Sequence, residues 1–144
     1  MDKISPPRRS ENMRRVRGKN TAPELAVRRL LSESRVRYRL HRQDLPGRPD
    51  VSIGRIRVAV FVHGCFWHQH QGCKRAFTPA THKKFWNTKL KSNMQRDSKA
   101  LQGLQNLGWK SQVIWECETK DESNLRHRLA PTIRSYREST KWGA

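Results

Sequence analysis

The chain has 144 residues, enough for one domain with a buried core and too few for two independent ones. Lys and Arg number 31 against 12 Asp and Glu, a formal charge of +19 spread along the whole length. That balance calls for a polyanionic partner and favours nucleic acid over a membrane, since no apolar run approaches a spanning helix and no signal-peptide pattern opens the chain.

Residues 1–20 (MDKISPPRRSENMRRVRGKN) are polar, basic and Pro-bearing without a sustained apolar period, and read as an arm that contacts DNA, with residues 21–144 as one domain. The segment TAPELAVRRLLSES opens with Thr21, has Pro23 and Glu24 in its first turn, and spaces Leu25, Val27, Leu30 and Leu31 for one helix face. In RVRYRLHR, Val36, Tyr38 and Leu40 alternate with basic residues, which predicts a half-buried strand with a positive outer face. The turn DLPGRPD delivers Asp50 to a short strand, DVSI, and IRVAVFV (56–62) reads as a strand buried on both faces. From Thr81 a helix runs to Leu107, with a break expected near Asn93 and Gly108 as its C-terminal stop; Phe85 is read as core. WKSQVIW is a strand, and a last helix from about Asp121 buries Leu125, Leu129, Ile133 and Tyr136 and must bend or restart at Pro131. The order is α-β-β-β-α-β-α, with no internal repeat.

VHGCFWHQHQGC (62–73) carries two cysteines and three histidines around an adjacent Phe and Trp. An odd total of three cysteines argues against a disulfide framework and for a metal site in a reducing compartment, by default the cytoplasm. Zinc takes four ligands, and five stand ready: Cys65, His68, His70, Cys73 and the distant Cys117. Either the first four close a site alone, leaving Cys117 a buried thiol, or Cys117 completes the site and frees one histidine. Spacing leaves both open.

In so basic a chain the few carboxylates are informative. Asp50 begins a strand next to the one ending at His63, so carboxylate and imidazole can meet at neighbouring strand ends, where Mg2+ could be held against a phosphate while the imidazole moves a proton. The competing assignment of Asp50 is a strand-edge partner for Arg48. Glu24 lies three residues after Thr21, the spacing of a capping box, and weighs equally as a cap and as a metal-directed acid. His41, His82 and His127 are read as solvated surface residues.

PGRPD, FVHGCFWHQHQGC, the series Phe85, Trp86, Lys89, Asn93, Arg96, Asp97, and LGW followed by VIWECE together resemble the very short patch repair endonucleases, which nick at T·G mismatches. The resemblance runs from about Ser10 to Cys117. It implies a restriction-endonuclease-like α/β fold, a central mixed sheet flanked by helices, with a structural Zn2+ on Cys65, His70, Cys73 and Cys117 and a free His68. It implies a catalytic set of Asp50 as Mg2+ ligand, His63 and His68 for proton transfer and phosphate contact, and Glu24 as supporting acid, with the backbone carbonyl of Val62 completing the magnesium site. Where the wider superfamily has carboxylate-x-Lys, this chain has Phe61-Val62-His63. Phe66, Trp67 and Trp86 become a wedge entering the duplex beside the mismatch, Met13 inserts from the other groove, and Lys89 and Asn93 read base edges.

The expected reaction is a strand-specific, Mg-dependent nick 5′ to the thymine, leaving a 5′-phosphate. The expected partners are double-stranded DNA with a T·G mismatch, a cytosine-5 methyltransferase as genetic companion, and a mismatch-repair protein as candidate recruiter. No membrane is expected; the resemblance implies a bacterial, cytoplasmic, nucleoid-associated protein, and monomeric action is expected because a single mismatch is asymmetric and only one strand is cut. The rivals are a restriction-type endonuclease cutting matched DNA and a non-catalytic zinc DNA-binding module.

Overall fold

The computed structural model describes residues 20–142; the arm up to residue 19, including Met13, lies outside the described residues. Helix α1 spans Ala22–Glu33, with Thr21 as N-cap accepting the Glu24 N–H at 3.4 Å. Its buried stripe is Glu24, Val27, Leu30 and Leu31, while Leu25 is exposed, contrary to the sequence reading. Helical geometry explains this: two residues turn the chain by about 200°, so Leu25 cannot share a face with Val27, whereas Glu24, Val27 and Leu31 can.

Strand β1 is only Arg39–Leu40, both exposed, where a strand through 35–42 was expected. Its partner β2, Val51–Ile53, offers three residues, and His41 ends the pairing in the left-handed region at φ 48°. Val36 is buried and Tyr38 half-buried all the same, since both pack on the core from irregular backbone. Strand β3, Val58–His63, pairs antiparallel with β2 and parallel with β4, Lys110–Trp115, giving the order β1-β2-β3-β4.

The parallel step from β3 to β4 runs through α2, Lys83–Asn106. This helix is continuous, with no break at Asn93. Gly108, at φ 81°, closes it as expected: its N–H donates to the Gln105 carbonyl at 3.0 Å and that of Trp109 to Leu104 at 2.9 Å, the Schellman pattern. A 3-10 turn, Glu116–Lys120, leads into α3, Glu122–Trp142, which runs through Pro131 as one helix without a restart. None of the described helices is long and apolar enough to cross a membrane.

The mixed sheet is covered on both faces, as the near-continuous apolar run of β3 requires. Val58 and Val60 join Val27, Leu31, Leu125, Leu129 and Ile133 in one core layer; Ala59 and Phe61 join Leu45 and Leu104 in the other. Phe85 and Met94, two of the apolar residues read into α2, are exposed; Phe85 keeps 61% of its surface, which overturns its assignment to the core.

The turn before Asp50 is seated by size. Pro46 packs against Gly103 of α2, and Gly47, at φ 76°, faces Ala100, where an added Cβ would sit 2.4 Å from the Ala100 Cβ and 3.1 Å from Phe61. Gly47→Ala should therefore cost about 2–4 kcal/mol, from overpacking plus the left-handed backbone penalty. Urea unfolding measures this, and a loss under roughly 0.5 kcal/mol would show that the turn yields freely.

Candidate active site and metal centre

The strand ends of β2 and β3, the start of α1 and the inner face of α2 enclose a cleft of about 810 Å³, lined among others by Glu24, Asp50, Val62, His63, His68, Asn93 and Asp97. Asp50 enters it at the close of the 45–49 turn, and its Oδ2 accepts the Val62 N–H at 2.7 Å, tying β2 to β3 at the site. Burial pushes the Asp50 carboxyl up to about 6; the Val62 N–H works against that rise, the nearby Glu24 charge adds to it, and His41 and His68 oppose it.

Glu24 is 2% exposed. The capping box is only half formed: Thr21 caps the Glu24 N–H, but the Glu24 carboxylate takes the Asn20 N–H at 2.5 Å through Oε2 and the imidazole Nε2 of His41 through Oε1. His41 is thus no free surface histidine, as the sequence reading had it; Glu24, His41 and Asp50 present donor atoms all within 4.8 Å of one another. His82 and His127 are exposed, as expected.

His63 and His68 stack face to face, centroids 3.8 Å apart and planes 6° from parallel. Asp97 of α2 serves both: its Oδ2 lies 2.6 Å from His68 Nδ1 and its Oδ1 4.0 Å from His63 Nε2. Burial, with the charge of His68 adding to it and Asp97 opposing, pulls His63 down to about 4, so this ring is neutral at physiological pH. With Asp97 on Nδ1, the unengaged nitrogen of His68 is Nε2, the arrangement in which a carboxylate fixes the tautomer of a working imidazole. Asp97 appears in the sequence motif without a role, and only folding brings it onto His68 and His63.

At the rim, Phe66 lies 5.1 Å from Trp67 and 5.5 Å from Trp86, centroid to centroid, and Trp67 lies 5.9 Å from Trp86. All three are half-buried, chiefly in a shared aromatic cluster that Phe77 and Phe85 extend. Lys89 and Asn93 line the cleft, and the Asn93 amide is already engaged, donating to the Trp67 carbonyl at 3.1 Å and accepting from Arg96 at 2.6 Å. In this conformation Asn93 anchors the loop that carries Phe66 and Trp67.

Behind the rim, Cys65, His70, Cys73 and Cys117 bring one donor atom each within 4.8 Å of one another. His70 Nδ1 stands 3.7 Å from Cys65 Sγ and 3.5 Å from Cys117 Sγ. A tetrahedral zinc with bonds of about 2.3 Å to sulfur and 2.0–2.1 Å to nitrogen needs N···S separations near 3.5 Å, so the donors fit zinc. Burial pushes the Cys65 thiol up to about 12, which makes a bare thiolate there costly and a cation partner favourable. His70 is oriented by stacking on Trp115 at 4.2 Å, and the Cys65 N–H donates to Glu116 at 3.3 Å. His68 stands in the other cluster, with His63 and Asp97.

A basic α/β chain whose strand ends carry carboxylates and imidazoles into one open cleft has the parts of a phosphodiester-cleaving nuclease. Residues 1–75 match the family described as DNA mismatch endonuclease Vsr. The chain is 44% identical over 135 residues to the type II nicking enzyme V.XorIIP of Xanthomonas oryzae pv. oryzae, covering 91% of this chain and 98% of the relative. It is 38% identical over 117 residues to the DNA mismatch endonuclease Vsr of Escherichia coli, covering 81% and 74%, and 35% identical over 132 residues to the type II nicking enzyme V.NmeAIP of Neisseria meningitidis, covering 92% and 94%. The protein belongs to the Vsr family of DNA mismatch and nicking endonucleases, and is a DNA-cleaving hydrolase.

Proposed function

We propose that the protein nicks one strand of duplex DNA 5′ to the thymine of a T·G mismatch, of the kind left by deamination of 5-methylcytosine, and so starts very short patch repair. The observation that carries the reading is the pairing of His68 with Asp97 in the same cleft as Asp50, with aromatic rings at its rim. In the proposed reaction Asp97 holds His68 Nδ1, and Nε2 takes the proton of the attacking water as the oxygen–phosphorus bond forms. The bond to the 3′-oxygen breaks and that oxygen takes a proton from solvent, leaving a 5′-phosphate and a 3′-hydroxyl. Neutral His63, stacked on His68, can meet the phosphate without the repulsion that a second imidazolium would bring to the pair.

Asp50, with the Val62 carbonyl and Glu24 in support, would hold Mg2+, which when bound neutralises charge developing on the phosphate. Cys65, His70, Cys73 and Cys117 would hold a structural Zn2+. The rings of Phe66, Trp67 and Trp86 suit insertion at a weakly paired step, where unstacking costs least. A cytosine-5 methyltransferase acting on the same sequence is the companion this chemistry implies.

The test is strand mapping on end-labelled duplexes with Mg2+, one set with a single T·G in varied flanks and one fully matched. A nick confined to the thymine strand and absent with EDTA is the expected result. Double-strand cutting of matched DNA would indicate a restriction-type enzyme, and binding without cutting on every flank would indicate a catalytically silent module.

A further inference from the structure

The carboxylates at the mouth of the cleft are accompanied by a nitrogen donor. His41 follows β1, its backbone N–H donates to the Asp50 carbonyl at 3.2 Å, and its ring, with the side chain 17% exposed, reaches the buried Glu24 carboxylate through Nε2. One donor atom each from Glu24, His41 and Asp50 therefore fits around a single point, the separations all falling within 4.8 Å. Three elements distant in sequence, the first turn of α1, the end of β1 and the start of β2, converge to make this arrangement.

Mg2+ favours oxygen donors and gains little from imidazole, whereas the first-row transition ions gain affinity from a nitrogen donor, least for Mn2+ and more for Fe2+ and Co2+, so that even Mn2+ gains more than Mg2+ does. An all-oxygen site discriminates weakly between Mg2+ and Mn2+; a site of two carboxylates and one imidazole favours the transition ion. From this geometry we infer that His41 is a direct ligand in the cation site of the cleft, and that the site prefers Mn2+ to Mg2+. The inference rests on the proposed reading of Asp50 as a cation ligand and extends it to the identity of the ion. On binding, His41 must present the lone pair of Nε2, its proton residing on Nδ1, so the contact with Glu24 gives way to shared coordination.

Pulsed electron paramagnetic resonance of Mn2+ added to the full-length protein tests this without any substitution, because an imidazole ligand imprints a directly bound 14N coupling on the ion. The coupling is expected in the wild type and should vanish in His41→Gln. Mn2+ and Mg2+ titrations of the same variant, its fold checked by circular dichroism, should show the Mn2+ to Mg2+ affinity ratio falling by at least about tenfold. Mn2+ that needs Asp50, being lost in Asp50→Asn, but shows no nitrogen coupling would overturn the role of His41 and leave the Asp50 reading intact. A coupling that persists in His41→Gln would overturn it too, by assigning the nitrogen to another histidine. Mn2+ binding untouched by Asp50→Asn would remove the Asp50 reading and this inference together.

Discussion

Asp50→Asn should lower the nicking rate by about 10³-fold or more while making the protein more stable at neutral pH. The two effects share one cause. In the folded chain the carboxyl titrates near 6, against 3.8 for an unperturbed aspartate, because burial disfavours its charged form. Folding between those values takes up a proton, so the contribution of Asp50 to stability becomes more favourable as pH falls from above 6 towards 4, and its penalty is fully present above 6. Asparagine keeps an oxygen for the Val62 N–H but carries no charge, which should recover up to about 3 kcal/mol at pH 7 in metal-free protein. Denaturant curves at pH 7 and pH 4.5 check the sign: the variant's advantage should be large at the first and small at the second. Nicking by the wild type should also fall below about pH 6, with the acid limb moving to lower pH as Mg2+ is raised, because proton and cation compete for one carboxylate. An acid limb indifferent to Mg2+ would separate Asp50 from the cation.

Cys117→Ser should release the metal and lower stability by several kcal/mol, since metal binding at a structural zinc site is folding free energy. Cys117 lies just beyond β4, and its Sγ approaches the His70 ring of the 64–73 loop at 3.5 Å. That loop also carries Phe66, Trp67 and His68, so loss of the tether should disorder the wedge and the His68–Asp97 pair together. Zinc content per chain and the thermal midpoint with and without chelator measure it. His70→Ala should behave like Cys117→Ser, whereas His68→Ala should keep its zinc and lose nicking. Unchanged zinc in Cys117→Ser would move the site to Cys65, His68, His70 and Cys73.

The element order was legible because each segment states its period: Thr21 and Pro23 open α1, the apolar run through Val62 can only be a strand covered on both faces, and Gly108 stops α2. The extent of β1 was not, because alternation of Val36, Tyr38 and Leu40 reports burial but not whether β2 is long enough to pair with them. At the site, Asp50 and His63 could be inferred from their adjacent strand ends. His41 and Asp97 could not: each becomes informative only beside a partner, Glu24 or His68, that is 17 and 29 residues away. Phe85 misled because a large ring in a helix resembles core, whereas here it sits against Trp86 and stays exposed.

The unbroken α2 has a further consequence. Trp86, Lys89, Asn93, Asp97, Ala100 and Gly103 recur every three or four residues along one stripe, so a single rod carries a ring of the aromatic cluster, the anchor of the Phe66–Trp67 loop, the carboxylate paired with His68 and the notch that seats the turn before Asp50. Trp86 and Asp97 are eleven residues apart, about 16 Å along the axis at 1.5 Å per residue. On the proposed reading the helix would act as a ruler, setting the distance from the point where the duplex is probed to the phosphate that is cut. One residue inserted between these marks would turn its far half by about 100°, detuning the two ends of the molecule while leaving the chemical groups at each end unchanged.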